Sequence, residues 1–406
     1  RGFQELIGRL LPDCFADIVA LVALYRPGPL QSGMVDDFVD RKHGRAKVVY
    51  LHPSLESILQ ETYGVIVYQE QVMQIAQVMA GYTLGAADLL RRAMGKKKPE
   101  EMAKQRSIFL EGSVKNNIDK DIATKVFDLM EMFAGYGFNK SHSVAYAMIS
   151  YQTAYLKAHW PDYFMASVLS SDMDNTDKVV HYIKDCQLFG LKVLPPCINH
   201  SKAFFHVEKP GVIRYGLGAV KGVGEGFALE VERANSEEAF SNLLDFCIKL
   251  ADAKVNKKVL EALIWSGAMD ALSVSRGVLI ASIEMVLTQK DQYYRNQSSG
   301  QGDLFSMGDA DDEVQCQYAS DAPRWSLKEA LAAEYAVLGQ YFSGHPLDPY
   351  KRELRQLRAN KIGSIKPSGR KVMIKLSGLV GKQRRMTTKA GRLFVLVELI
   401  DETGAV

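Results

Sequence analysis

Apolar side chains recur at helical spacing through most of the first half of the chain. Over residues 70–79 they fall at Val72, Met73, Ile75, Ala76, Val78 and Met79, with Gly81 just beyond. That is the pattern of an amphipathic helix with a glycine past its end. Residues 86–94 repeat it and close on Gly95, and residues 121–133, 144–159 (closed by Pro161) and 178–188 predict three more helices. Residues 54–60 predict a short capped helix, and the main strand signal in this half is 64–68. A break comes at Pro195-Pro196. After it, 204–207 and 212–215 read as a small hairpin around Pro210-Gly211, and helical spacing returns to about residue 294. Residues 298–322 are rich in Ser, Gly, Asp and Gln, so the pattern predicts a flexible linker. A helix is predicted over 326–339. From 371, Val372, Ile374 and Leu376 alternate with polar or exposed-type neighbours, and 393–400 gives a second strand. The fold class is therefore mainly α and multidomain, ending in a β module.

The chain has 406 residues, 47% hydrophobic and 24% charged, which excludes a wholly disordered protein and suggests several domains. The net charge of +3 names no partner, but its distribution is uneven. Residues 301–345 carry eight acidic against two basic side chains, and 351–406 carry fourteen basic against four acidic. Different functions side by side are expected. Five scattered cysteines form no CxxC pair, which argues for a reducing cytoplasm and against a zinc or disulfide frame. The longest apolar run, from Cys14 to Tyr25, holds Asp17 and is too short to span a bilayer. The sequence opens on Arg1 and stops at Val406 amid a strand-like pattern, so a fragment is expected.

Four strings carry candidate chemistry. The first is Leu89-Leu90-Arg91-Arg92-Ala93-Met94-Gly95-Lys96-Lys97-Lys98. Guanidinium forks suit phosphate oxygens and lysines add mobile positive charge; a solvated helix end with bases on its C-terminal dipole fits the same spacing. The second is Gly135-Tyr136-Gly137-Phe138-Asn139-Lys140-Ser141-His142-Ser143, a glycine loop opening a helix. It suits a phosphate or nucleotide seat, or a plain loop with Ser141 or Ser143 as N-cap. The third, Gly218-Ala219-Val220-Lys221-Gly222-Val223-Gly224-Glu225-Gly226, has helix-hairpin-helix form, in which backbone amides grip phosphate without reading bases; a plain glycine-rich turn fits the same spacing. Residues 259–270 look like a degenerate second copy lacking the glycine pair. The fourth is Gln301-Gly302-Asp303-Leu304-Phe305, two large apolar side chains in a polar linker, which is either a docking peptide or an accident of composition. Asp36, Asp37 and Asp40 are followed directly by Arg41 and Lys42 and read as a helix surface, not a metal site.

Taken in order, these strings resemble the bacterial replicative C-family DNA polymerases, the polymerase III alpha family. The resemblance also rests on Tyr25-Arg26-Pro27-Gly28-Pro29-Leu30, Tyr68-Gln69-Glu70-Gln71-Val72-Met73 and Ser343-Gly344-His345-Pro346. It implies helical fingers over 1–190 and a helix-hairpin-helix duplex-binding region over 191–297. A linker with a sliding-clamp motif would cover 298–325, a helical connector 326–370, and the start of an OB-fold 371–406. Arg91, Arg92, Lys96, Lys140 and His142 would bind the incoming nucleotide. Lys221, Gly222, Gly224 and Gly226 would bind duplex DNA, and Gln301, Asp303, Leu304 and Phe305 the clamp. The resemblance implies a DNA-directed DNA polymerase acting on primer-template DNA and deoxynucleoside triphosphates, with other replicase subunits as partners. Its catalytic aspartates and Mg²⁺ ligands would lie upstream, so this stretch alone is expected to bind without catalysing. A non-catalytic adaptor that tethers DNA to the clamp explains the hairpin and the peptide but leaves the Arg91 string and the Gly135 loop idle.

Overall fold

The computed structural model describes residues 2–96, 99–133, 137–250, 253, 255–299, 315–365, 372–388 and 391–406. It separates into two compact units, Arg1–Ala158 and His159–Val406.

The first unit is helical. Its helices include Gly2–Leu10, Phe15–Leu24, Met34–Lys42, Gln69–Ala80, Leu84–Lys96, Pro99–Lys115, Lys120–Phe133 and the start of Lys140–His159. One core gathers Leu10, Leu24, Phe38, Val67 and Tyr68. A second gathers Ile75, Met79, Leu90, Met94, Phe109, Phe127 and Met130. The apolar stripe expected over 70–79 is the buried face of Gln69–Ala80: Val72, Ile75, Ala76 and Met79 all lie inside. Its start is fixed by the buried Gln71, whose Oε1 accepts the amides of Val67 (2.8 Å) and Tyr68 (2.9 Å). Gln71 Nε2 donates to Ile58 O (3.2 Å) and Thr62 Oγ1 (2.8 Å), so the buried amide is fully used. Residues 64–68 do not form the expected strand; Tyr68 makes only an isolated bridge to Phe138.

The second unit has one large core, which takes in Met165, Leu169, Val179 and Ile183 from helices Pro161–Ser171 and Thr176–Leu188. These helices pack with the residues C-terminal to them, so compactness divides the chain earlier than the expected boundary near 190. A small sheet has Val212–Arg214 at its centre, antiparallel to His206–Lys209 as the hairpin pattern predicts, and parallel to Lys192–Leu194. Helices Glu225–Glu237, Leu243–Lys249, Lys257–Trp265 and Arg276–Ser299 come next in the chain. The stretch read as a flexible linker is in part packed: Cys316 and Tyr318 lie against the core. Ala319 N–H donates to Ser282 Oγ at 2.9 Å, and Leu243 N–H to the Tyr318 hydroxyl at 3.3 Å. Those side chains supply the apolar surface that the polar composition masks. Helix Leu327–Leu338 starts on a Ser326/Glu329 capping box. The C-terminal strands Leu379–Thr387 and Leu393–Asp401 pair antiparallel. The first begins later than the alternation from 371 predicts. Val372, Met373 and Ile374 are exposed, so that alternation has no face to bury.

Candidate functional site

Helix Gln69–Ala80 brings two of the strings together within the first unit. A cleft of about 210 Å³ is lined by Gln69, Val72, Arg91, Arg92, Met94, Gly95, Phe133 and Gly137. Leu90 and Met94 anchor the arginine-bearing helix in the core, which turns Arg91 and Arg92 outward. Arg91 donates from Nε and Nη2 to Asp88 Oδ1 (2.9 and 2.8 Å) and from Nη1 to Gln69 Oε1 (3.1 Å). Arg92 Nε lies 2.8 Å from the other Asp88 oxygen. The hydrogen bond from Arg91, and then the charge of both arginines, holds the Asp88 carboxyl below the usual carboxylate range. Gln69 Nε2 donates in turn to Gly137 O at 3.1 Å. Arg92 keeps 63% of its side chain exposed against 30% for Arg91, so one guanidinium is braced and the other projects.

Lys140 and His142 do not line this cleft. They stand on the first turn of helix Lys140–His159, joined to it through the neighbouring Glu70. Glu70 accepts Asn139 Nδ2 (2.8 Å) and the Lys140 amide (2.9 Å). Lys140 Nζ pairs with Glu61 Oε2 at 2.6 Å. The N-cap is Asn139, which accepts the His142 amide at 2.8 Å, rather than Ser141 or Ser143. Ser143 is buried with its hydroxyl unpartnered. The His142 ring lies between Phe138 and Tyr146, with centroids 5.4 and 4.6 Å away. Arg26 sets its guanidinium 4.4 Å from the Phe138 centroid, tying the Tyr25-Arg26-Pro27 string to the same loop. Lys96 ends its helix. Lys97, Lys98, Gly135 and Tyr136 fall outside the described residues, as do Gln301, Asp303, Leu304 and Phe305. Gln69, Glu70 and Asp88 are the residues that sequence reasoning missed. The one signal for the first two was the Tyr68-Gln69-Glu70-Gln71 string, to which spacing alone gives no role.

The third string forms a turn in the second unit. Leu217–Ala219 is a short 3-10 helix, Val220 and Val223 are buried, and helix Glu225–Glu237 comes directly after. Gly222 (φ 100°) and Gly224 (φ 79°) take backbone conformations that favour glycine. Lys221, Gly222, Gly224, Glu225 and Gly226 are exposed. Among the described residues the amides of Gly222 and Gly224 have no hydrogen-bond partner. The degenerate copy differs: Ser266, Gly267 and Ala268 are buried, and a Cβ on Gly267 would stand 2.3 Å from Arg276 Nη2. It cannot present its backbone to a ligand.

Among the described residues, the clustered carboxylates near Asp13 and Asp36 are already paired with basic side chains and do not suit a divalent cation. Asp13, Cys14 and Asp17 bring ligand atoms within 4.8 Å of one another. Lys42 Nζ already sits 2.8 Å from Asp13 and 2.7 Å from Asp17. Asp36, Asp37 and Asp40 pair with Arg9, Arg41 and Arg45. Among the described residues no helix is long and apolar enough to cross a membrane.

Residues 1–117 match the bacterial DNA polymerase III alpha subunit finger domain, and residues 190–279 match a helix-hairpin-helix motif. The chain is 52% identical over 411 aligned residues to the DNA polymerase III subunit alpha of Vibrio cholerae, covering 100% of this chain and 35% of that protein. The corresponding subunit of Escherichia coli is 50% identical over 412 residues, again 100% and 35%. That of Pseudomonas aeruginosa is 49% identical over 429 residues, 100% and 36%. The chain thus spans about a third of the length of the curated relatives it matches. From end to end the chain is thus similar to the bacterial DNA polymerase III alpha subunits, with their finger domain matched over 1–117 and a helix-hairpin-helix motif over 190–279.

Proposed function

We propose that this chain binds the incoming nucleotide and duplex DNA for a replicative DNA-directed DNA polymerase. The observation that carries the reading is the meeting of Arg91, Arg92 and Gly137 around one cleft, with Gln69 bonded to both sides. The reaction is template-directed attack of a primer 3′-hydroxyl on the α-phosphate of a deoxynucleoside triphosphate. Arg91 and Arg92 would meet the triphosphate and offset the charge that develops on the departing pyrophosphate. Lys140 and His142, beside the Phe138–Tyr146 rings, would face the sugar or the nascent pair. Lys96 adds positive charge at the end of the arginine helix.

The turn with Lys221, Gly222, Gly224 and Gly226 would hold duplex phosphates, and its contacts would be blind to sequence. Gln301, Asp303, Leu304 and Phe305 would dock on a sliding clamp, and the start of an OB-fold would occupy 371–406. Mg²⁺ belongs to the reaction, but the clustered carboxylates near Asp13 and Asp36 do not fit the ion, so its ligands are assigned to the part of the relatives beyond this match. Other replicase subunits are expected partners, and scattered cysteines without a CxxC pair accord with a cytoplasmic site. An adaptor that only tethers DNA to the clamp would have no use for the Arg91–Gly137 cleft.

The test is Arg91→Ala and Arg92→Ala in a full-length enzyme. Nucleotide kcat/KM should fall by about 2.7–4 kcal/mol of transition-state stabilisation if the contact acts like a lost oxyanion donor. Duplex affinity should hold. Unchanged kcat/KM in both variants would reduce the cluster to a helix end.

A further inference from the structure

We propose that Glu334 is a positioning residue for the phosphate-gripping turn at residues 221–226; the inference rests on the duplex-binding reading above. Glu334 lies on helix Leu327–Leu338 and is fully buried. Its Oε1 accepts the amides of Phe342 and, at 3.0 Å, Ser343. Its Oε2 accepts Ser343 Oγ at 2.6 Å and Arg276 Nη1 at 3.4 Å. Arg276 also grips Asp270 with Nε (2.8 Å) and Nη2 (2.6 Å), and Nη2 reaches Ser343 Oγ at 3.0 Å. One carboxylate therefore joins the helix, the segment that returns beneath it, and the start of Arg276–Ser299. A buried charge with this many donors has one low-energy placement, since moving it strands each partner.

The next turn of the helix meets the hairpin. Val337 O accepts the Lys221 amide at 3.1 Å. That carbonyl is among the last four of the helix, which have no intrahelical donor. Val337 and Leu338 are buried in the same core as Leu217, Val220 and Val223. The bond to Val337 uses the Lys221 amide and fixes the Val220–Lys221 peptide plane, one residue before Gly222. The exposed Gly222 and Gly224 keep their amides without a partner among the described residues. Residues that lie beyond the end of the helix-hairpin-helix match at residue 279 thus help to complete a turn inside it. The Ser343-Gly344 string acquires a role in this arrangement, because Ser343 closes the carboxylate that holds the helix under the turn.

The experiment is duplex-DNA binding by the full-length polymerase, read by fluorescence anisotropy over a salt series. Glu334→Ala should flatten the slope of log K against log salt by about 0.9 for each phosphate that the turn no longer holds, and weaken affinity roughly tenfold per phosphate at about 0.1 M salt. Glu334→Gln keeps an acceptor for Phe342 and Ser343 and should recover most of the slope. A general loss of stability would lower the active fraction without changing the slope. A folded Glu334→Ala with wild-type slope overturns the proposal. If that variant does not fold, Ser343→Ala decides: a flattened slope supports the proposal and a wild-type slope overturns it. Gly222→Val is measured alongside. If it too leaves the slope unchanged, the duplex-binding reading has failed; if it alone flattens the slope, only the role of Glu334 has.

Discussion

Arg91 Nη1 donates to Gln69 Oε1 at 3.1 Å across a gap that sequence order does not bridge. Gln69 also donates to the Gly137 carbonyl, so it spaces the arginine helix from the glycine loop. Removing it should leave Arg91 on Asp88 but let the cleft widen. A hydrogen bond to a charged group contributes about 1.5–3 kcal/mol. Because Asp88 retains Arg91, Gln69→Ala should cost near the lower figure, about a tenfold loss of nucleotide kcat/KM. Steady-state kinetics of the full-length enzyme checks it, with duplex affinity expected to stay level.

How far the site was legible can be judged from that pair. The arginines and the glycine loop stood out as strings because each concentrates its chemistry locally. Gln69, Glu70 and Asp88 did not, because their value lies in partners reached through the fold. Regular elements behaved alike. The stripe over 70–79 was legible because its buried positions are apolar. Helix Pro99–Lys115 was not, because two of its four buried positions are Gln105 and Ser113. The same holds for 315–325, where a few side chains dock a stretch whose composition is polar.

Lys42 and Asp17 form a buried pair at 2.7 Å, with side chains 5% and 2% exposed. Lys42→Met would strand the Asp17 carboxylate and should destabilise the protein by about 3–5 kcal/mol; adding Asp17→Leu should recover most of that. Burial pushes the Lys42 pKa down, but hydrogen bonds to Asp13 and Asp17 outweigh it, leaving a raised value. A raised folded pKa gives stability that is whole below the unfolded lysine value and lost as pH rises through the folded one. Asp13 works on the acid side. The hydrogen bond from Lys42 holds its pKa low, so its contribution is lost as pH falls through that value. Urea titrations at neutral and strongly alkaline pH should show the wild type losing its advantage over the double variant only in alkali.

The clamp reading rests on Leu304 and Phe305 alone in a polar stretch. Burying each contributes roughly 1.5–3 kcal/mol, and 1.4 kcal/mol is tenfold in affinity. Replacing both by Ala should therefore weaken clamp binding at least about a hundredfold while sparing duplex binding. Isothermal titration decides it; affinity within a few-fold of wild type would put the contact elsewhere.

The turn at Gly222 and Gly224 makes the sharpest claim about DNA. Both glycines hold positive φ, where a β-branched residue is strained by about 1–3 kcal/mol. Gly222→Val or Gly224→Val should therefore move the amides at these positions without touching the buried Val220 and Val223 that anchor the turn. Amide-to-phosphate contacts carry no base information, so affinity should fall equally for duplexes of unrelated sequence. Side chains reading base edges would instead lose affinity for one duplex more than another. Anisotropy titrations with an A·T-rich and a G·C-rich duplex separate the two cases. Equal losses in both support phosphate gripping. A loss confined to one duplex, or no loss in a folded variant, would leave the turn a structural corner.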